Sequence, residues 1–316
     1  MHIDVTYDYT RDVKNFWEIH WRNNPRTGKV SAEIDPDGKS QRLKMDQYSL
    51  YRRELPNGEF FDLWLLLNTY KLVWNGETFG SDSIIVSFRR KDEHADDRSE
   101  GDFDVVDRFA ERDGYREWVE RYLRESYTIG GEIIFPTSNS INQAKGMNMG
   151  VADRFDLTLW CIQCYYEKTP ADNYYLDQLV DVIKRNAWFF DKFINFRGYV
   201  DFFLLQDCVD EDYNTKLFLD HTGRPNSVEE YEIFMDRQME FLRKRNKRIA
   251  ELELKDKILQ KRLLTEAQRF PGKWIRSEDA YRVLCPDDPG RIGMKQKHRA
   301  IDDAVREGWI LRALEN

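Results

Sequence analysis

Four carboxylates lie in and around the most apolar part of this chain, and their setting points to chemistry. Asp201 and Asp207 interrupt residues 198–209 (GYVDFFLLQDCV), and Asp153 and Asp156 stand three apart at the start of a helical pattern. A carboxylate among so many Phe and Leu side chains is either paired with a cation or held for proton transfer or metal binding, because an isolated buried charge is too costly. Arg154 and Arg197 stand near in sequence as partners. A structural ion pair and a working acid are therefore both open for Asp201 and Asp207.

Three further patterns carry chemical meaning. Gly130-Gly131 and the stretch 140–146 (SINQAKG), with Asn142 and Gln143, could wrap an anion with backbone amides. Their spacing matches no Walker or dinucleotide-binding fingerprint. The run Arg243-Lys244-Arg245-Asn246-Lys247-Arg248 puts positive charge over two helical turns, enough for phosphate contacts. The plain alternative is a solvated face balanced by Glu251, Glu253 and Asp256. Cys161-Ile162-Gln163-Cys164 is a single Cys-x-x-Cys inside a helical pattern, with no second pair to complete the four ligands zinc needs, and reads as buried thiols.

The elements that must position these residues follow from periodicity. Residues 1–25 read as an extended arm or short strand with a helical turn, and turn signals fall at Thr27-Gly28, Pro36-Asp37-Gly38 and Leu55-Pro56-Asn57-Gly58. A helix or strand spans residues 43–51, and Ser83-Ile84-Ile85-Val86-Ser87-Phe88 alternates like a strand. The first 90 residues read as mostly β. Residues 91–102 hold no large apolar side chain and form a solvated link. Helical spacing runs through 103–127 with a break at Asp113-Gly114, and Ile133-Ile134-Phe135 is a short buried strand. Helices follow at 153–168 and at 174–196, the second with Ala187 and Ile194 on its inward face, and residues 198–209 are central and buried. A long helix opens at Ser227 and runs to about Gln268. The expected fold is α+β: a β-rich N-terminal part (1–90) on a mainly helical body (103–268), with a small winged-helix-like module at 272–316.

Composition narrows the function classes. Nine Trp, sixteen Tyr and nineteen Phe in 316 residues supply a substantial core. The net charge of −8 argues against an all-over grip on nucleic acid. The charge is uneven, however: residues 237–316 carry 20 Lys and Arg against 13 Asp and Glu, a balance of +7, which leaves −15 on the rest. In the C-terminal module a helix beginning near Lys295, Lys297 and Arg299 has the charge to enter a groove, although Asp302-Asp303 suit a protein-docking role better. The polar opening Met1-His2-Ile3-Asp4 predicts no signal peptide, no stretch has the apolar length of a membrane span, and four scattered cysteines predict a reduced, cytoplasmic setting.

Two resemblances add expectations. ADP-ribosyltransferases of the Arg-Ser-Glu type order an Arg, a Ser-x-Ser strand, and a Glu before an apolar run; this chain is similar in Tyr51-Arg52-Arg53, Phe79-Gly80-Ser81-Asp82-Ser83 and Glu132-Ile133-Ile134-Phe135-Pro136. That resemblance implies Arg52 or Arg53 on cofactor phosphates, Ser81 and Ser83 near the nicotinamide ribose, and Glu132 stabilising an oxocarbenium-like centre. Gly130 stands where the usual first Glu would be. Over residues 43–249 the chain also resembles a family of bacterial cytoplasmic proteins without a settled activity. The matching pieces are Leu55-Pro56-Asn57-Gly58, Ser81-Asp82-Ser83-Ile84, Thr128-Ile129-Gly130-Gly131 with Ile133-Ile134-Phe135-Pro136, Asp153-Arg154-Phe155-Asp156-Leu157-Thr158-Leu159 and Gly198-Tyr199-Val200-Asp201-Phe202-Phe203-Leu204-Leu205-Gln206-Asp207. It implies that the position of Glu132 need not be Glu.

The expectation is thus a cytoplasmic nucleic-acid- or nucleotide-binding protein, in a regulatory or mobile-element defence role. DNA or RNA would engage Arg243, Lys244, Arg245, Lys247, Arg248 and the C-terminal lysines, and a nucleotide or phosphate would bind near Gly130, Gly131, Asn142, Gln143 and Arg154. An NAD-using ADP-ribosyltransferase-like enzyme, with Glu132, Asp201 and Asp207 as catalytic candidates, is the alternative. A protein-interaction scaffold is the third reading. No cofactor follows from sequence.

Overall fold

The computed structural model describes residues 3–23, 30–66, 69–84, 105, 107–141, 154–171 and 174–269. It shows a mixed α+β chain: a four-stranded antiparallel sheet in the N-terminal half, packed with a helical body. The C-terminal module at 272–316 and the strand expected through 85–88 lie outside the described residues.

Strands β1 (Trp64–Leu66), β2 (Lys71–Trp74), β3 (Glu77–Ser83) and β4 (Glu132–Pro136) lie in that order in the sheet. Asn75 and Gly76, at φ of 50° and 82°, join β2 to β3. Both central residues of this two-residue turn need positive φ, and Asn-Gly accepts it at the lowest steric cost. The strand β4 arrives from far along the chain and is buried at every position, as Ile133-Ile134-Phe135 predicts.

Ahead of the sheet the chain is helical, which corrects the extended arm and the mostly-β reading of the opening residues. Helices α1 (Phe16–Asn23), α2 (Pro36–Lys39) and α3 (Gln41–Tyr51) precede the first strand. Their ends are set by caps. Asp35 accepts a hydrogen bond from the Asp37 amide, Pro36 pre-sets the first turn of α2, and Ser40 closes α2 and opens α3 by accepting from the Leu43 amide.

The body begins with α4 (Tyr115–Ser126), which starts after Gly114 where the sequence predicts a break. A 3-10 turn at Ile129–Gly131 leads into β4. A Cβ on Gly131 would fall on the Ser126 carbonyl oxygen, so only glycine fits this tight corner. The body continues with α5 (Phe155–Glu167), α6 (Tyr174–Arg185), α7 (Ala187–Phe190) and α8 (Phe196–Phe203). The single helix expected over 174–196 is interrupted at Asn186, and Ile194 is 60% exposed at φ 70° rather than inward.

Helix α9 (Val228–Arg269) packs on α4, on the glycine turn and on the 3-10 turn at Gln206–Cys208. One hydrophobic cluster runs from Ile3 to Ile249, with Phe189, Phe193, Tyr199, Phe202 and Phe203 interlocked at 4.7–6.3 Å between ring centroids. Among the described residues no helix is long and apolar enough to cross a membrane.

Candidate functional site

The register of β3 on β4 sets Ser83 opposite Glu132 and Ser81 opposite Ile134. Directly opposed residues share a face, and the two-residue alternation of a strand puts Ser81 and Ser83 together, so Ser81, Ser83 and Glu132 look out from one side of the sheet. Helices α2 and α3 cover that side. Lys44 of α3 donates to Ser81 Oγ, and Ser81 Oγ donates to Gln47 Oε1 at 2.7 Å.

Glu132 is fully buried, and neither carboxyl oxygen meets an N–H or O–H donor. The charged groups that act on it are the carboxyls of Asp37 and Asp35 on the α2 side and the Lys44 ammonium on α3. Burial raises the Glu132 pKa well above the carboxylate range; the charges of Asp37 and Asp35 raise it further, against the pull of Lys44. Asp35 is pushed up to about 7 by burial and by the Asp37 charge, although the Asp37 amide and the Tyr127 hydroxyl (3.3 Å) donate to it. Lys44 is pushed down by burial, with Asp37, Glu132 and Asp35 opposing. Asp37 Oδ1 and Gln47 Nε2 are also buried without a hydrogen-bond partner. Several unmet polar atoms around one locus mark a place where a polar ligand or ordered water completes the bonding.

The backbone under Glu132 is held from two helices. The Tyr51 hydroxyl donates to the Glu132 carbonyl at 3.3 Å, and Arg245 Nη1 donates to the same oxygen at 2.8 Å and to the Gly130 carbonyl at 2.7 Å. Arg245 also reaches the Phe203 carbonyl at 3.1 Å and the Tyr51 hydroxyl at 3.0 Å, and no part of it is exposed. It is therefore not a phosphate contact. The other members of the run are engaged with acids: Arg243 with Glu125, Lys244 with Glu240 and Arg248 with Asp207. Lys247 is exposed. The basic stripe inferred from composition is thus largely neutralised within the body.

The glycine turn does not offer its amides to an anion. The Gly130 amide donates to Asn246 Oδ1 at 2.8 Å and the Gly131 amide to the Thr128 carbonyl at 2.9 Å. Arg154 is likewise internal, in a fork with Asp156 (3.1 and 2.5 Å) and on the carbonyls of His221 and Gly223 (2.9 and 2.6 Å). This is the ion pair that the apolar setting demanded. Asp201 and Asp207 differ from the expectation of burial. The Asp201 side chain is 46% exposed and accepts from Tyr213 Oη and Gln206 Nε2, whereas Asp207 forms a two-pronged pair with Arg248.

Arg52, at the end of α3, is held by Asp62 at 3.0 Å and by the Tyr48 hydroxyl, and Arg53 lies over the Phe202 ring at 4.5 Å. Asn142, Gln143, Asp153, Lys295, Lys297 and Arg299 lie outside the described residues. Among the described residues no group of three or more His, Cys, Asp or Glu forms a metal-ligand set. The structure thus joins Ser81, Ser83 and Glu132, and adds Asp35, Asp37, Lys44 and Gln47, which sequence reading missed. Their available signal was Asp35-Pro36-Asp37 and Ser40 as helix caps, which fixes α2 and α3 over the sheet.

No curated protein and no solved structure matches this chain. A family model matches residues 3–249, and the chain accordingly belongs to that family of unknown function, DUF6994.

Proposed function

We propose that the protein is an enzyme that transfers protons at the Glu132–Asp37 pair. The observation that carries this reading is the buried Glu132 carboxyl, met by no donor and facing a second acid. Burial and the neighbouring acidic charges make Glu132 hold its proton to higher pH than an ordinary carboxyl, so it can serve as an acid beside Asp37. The fold spends stability on this arrangement, since a hydrophobic residue at 132 would avoid the desolvation, and costly titratable clusters gather where chemistry is done.

The neighbours of Glu132 favour acyl transfer: the Lys44–Ser81–Gln47 contacts on the same face of the sheet put a hydroxyl, an amine and an amide beside a proton-holding carboxyl. The ADP-ribosyltransferase alternative gains Ser81, Ser83 and Glu132 on one face, but the arginines it needs on the cofactor phosphates are engaged elsewhere, Arg52 with Asp62 and Arg53 over the Phe202 ring.

The test is turnover of a panel of chromogenic esters, amides, phosphates and glycosides by wild type, Glu132→Gln and Asp37→Asn. Hydrolysis of an ester or amide that falls at least a hundredfold in both variants, with melting temperature retained, supports the reading. Equal turnover in all three proteins refutes it.

A second reading, nucleic-acid engagement in a reducing compartment, rests on the +7 balance of residues 237–316. Binding of a DNA or RNA oligonucleotide that weakens in Lys295→Glu, Lys297→Glu and Arg299→Glu, with a shallower salt dependence, supports it. Such binding would suit a regulatory or mobile-element defence role.

A further inference from the structure

We propose that Ser81 is the nucleophile of this site, with Lys44 as its base and Gln47 as the donor for the developing oxyanion. The inference rests on the acid–base reading and specifies its substrate class as an ester or amide. Three observations converge. Ser81 Oγ accepts from Lys44 Nζ, which puts an amine within proton-transfer reach of the hydroxyl. Gln47 holds the Ser81 hydroxyl through Oε1 at 2.7 Å, which fixes its rotamer. The same amide carries a buried Nε2 for which the core supplies no acceptor, and a donor left unmet beside a nucleophile is what an acyl-transfer site needs when negative charge develops.

The cationic Lys44 donates to Ser81, and the neutral amine presents a lone pair along the same line. Burial favours that neutral amine, and a proton resting on Glu132 removes one of the negative charges that oppose it. In the step itself Lys44 takes the Ser81 proton and the Oγ–C bond forms at the acyl carbon. The carbonyl electron pair moves to oxygen beside Gln47 Nε2. Collapse of this adduct breaks the bond to the leaving alcohol or amine, which takes its proton from the Glu132–Asp37 pair. Water then releases the acyl group by the reverse sequence, so no oxidant, reductant or co-reactant is needed.

The probe is diisopropyl fluorophosphate, which phosphorylates an activated serine: an Oγ–P bond forms, P–F breaks and fluoride leaves. The full chain is incubated with it, and the modified residue is located by peptide mass spectrometry. Modification at Ser81, absent in Ser81→Ala and at least tenfold slower in Lys44→Met, is expected. Ser81→Cys guards against a variant that fails to fold: it should lose phosphorylation and gain rapid alkylation by iodoacetamide. A folded wild type that is unmodified, modified at another serine, or modified equally fast in Lys44→Met overturns the proposal. Labelling depends on Ser81 and its base, whereas the acid–base reading is judged on turnover in Glu132→Gln, so each can fail without the other.

Discussion

Arg245 Nη1 lies 2.8 Å from the backbone carbonyl oxygen of Glu132, which ties the long helix α9 to the first residue of strand β4. The guanidinium satisfies three carbonyls and the Tyr51 hydroxyl at once, and it does so with no exposure to solvent. Lys presents its donors from a single atom and cannot span these partners. Arg245→Lys should therefore cost about 3 kcal/mol or more, since each unmet buried polar group costs about 1–3 kcal/mol. Urea unfolding would measure it, and a variant within 0.5 kcal/mol (about the spread of neutral surface changes) would overturn the clamp. Nucleic-acid affinity per folded molecule should not change.

Glu132→Gln should raise stability at neutral pH. The folded-state pKa lies above its unfolded value, so between those two values the folded state binds the extra proton and stability falls as pH rises. Asp35, at about 7 in the fold, adds a loss of the same sign as pH climbs from about 4 to about 7. Gln keeps the size of Glu132 and cannot ionise. Melting temperatures recorded from pH 4 to pH 8 should show the variant gaining on wild type as pH rises, with the two converging in acid. A variant less stable than wild type at pH 7.5 would show that the carboxylate is structurally required.

The reasons some elements can be read from sequence and others cannot are visible in single residues. Strand β4 is legible because Ile133, Ile134 and Phe135 form a continuous apolar run. Strand β3 is not, because Glu77-Thr78-Phe79-Gly80-Ser81-Asp82-Ser83 carries one large apolar side chain, and the better signal was the Asn75-Gly76 turn before it. Burial of Arg245 was available from spacing, since it stands three after Leu242 and four before Ile249, on the stripe that faces the core. Reading the run by charge alone hid that. The acid cluster itself had no local pattern to find. Asp35, Asp37, Lys44, Ser81 and Glu132 come from four separate segments, and only the register of β3 on β4 and the caps of α2 and α3 bring them together.

His20 should give the opposite pH dependence. It is fully buried against Phe16, Trp17 and Trp21, with neither ring nitrogen bonded. Burial pulls its pKa down to about 4, against the charge of Glu120. Between about 4 and about 6.5 the unfolded chain binds a proton that the folded one refuses, so stability rises with pH across that window and is lost as pH falls through it. His20→Phe should abolish this contribution, so that the variant loses less stability than wild type between pH 7 and pH 4. Parallel stability curves for the two proteins would mean that the ring is not held neutral.

Asp156 and Asp201 look alike in sequence, each a lone carboxylate in an apolar run, and the structure separates them. Asp156 is fully buried, forks onto Arg154 and accepts the Phe218 amide at 2.7 Å. Removing it strands a buried guanidinium, and Asp156→Ala should cost about 3–5 kcal/mol. Asp201 lies at the surface, where Tyr213 Oη, Gln206 Nε2 and a 3.9 Å approach of Arg197 share it with water. Exposed ion pairs contribute about 0–1 kcal/mol, so Asp201→Asn should stay within that range. Chemical denaturation of the two variants decides the matter. If Asp201→Asn also abolishes turnover, Asp201 returns as a catalytic residue; if Asp156→Ala is well tolerated, the Arg154 fork is not what anchors α5 to the 218–223 segment.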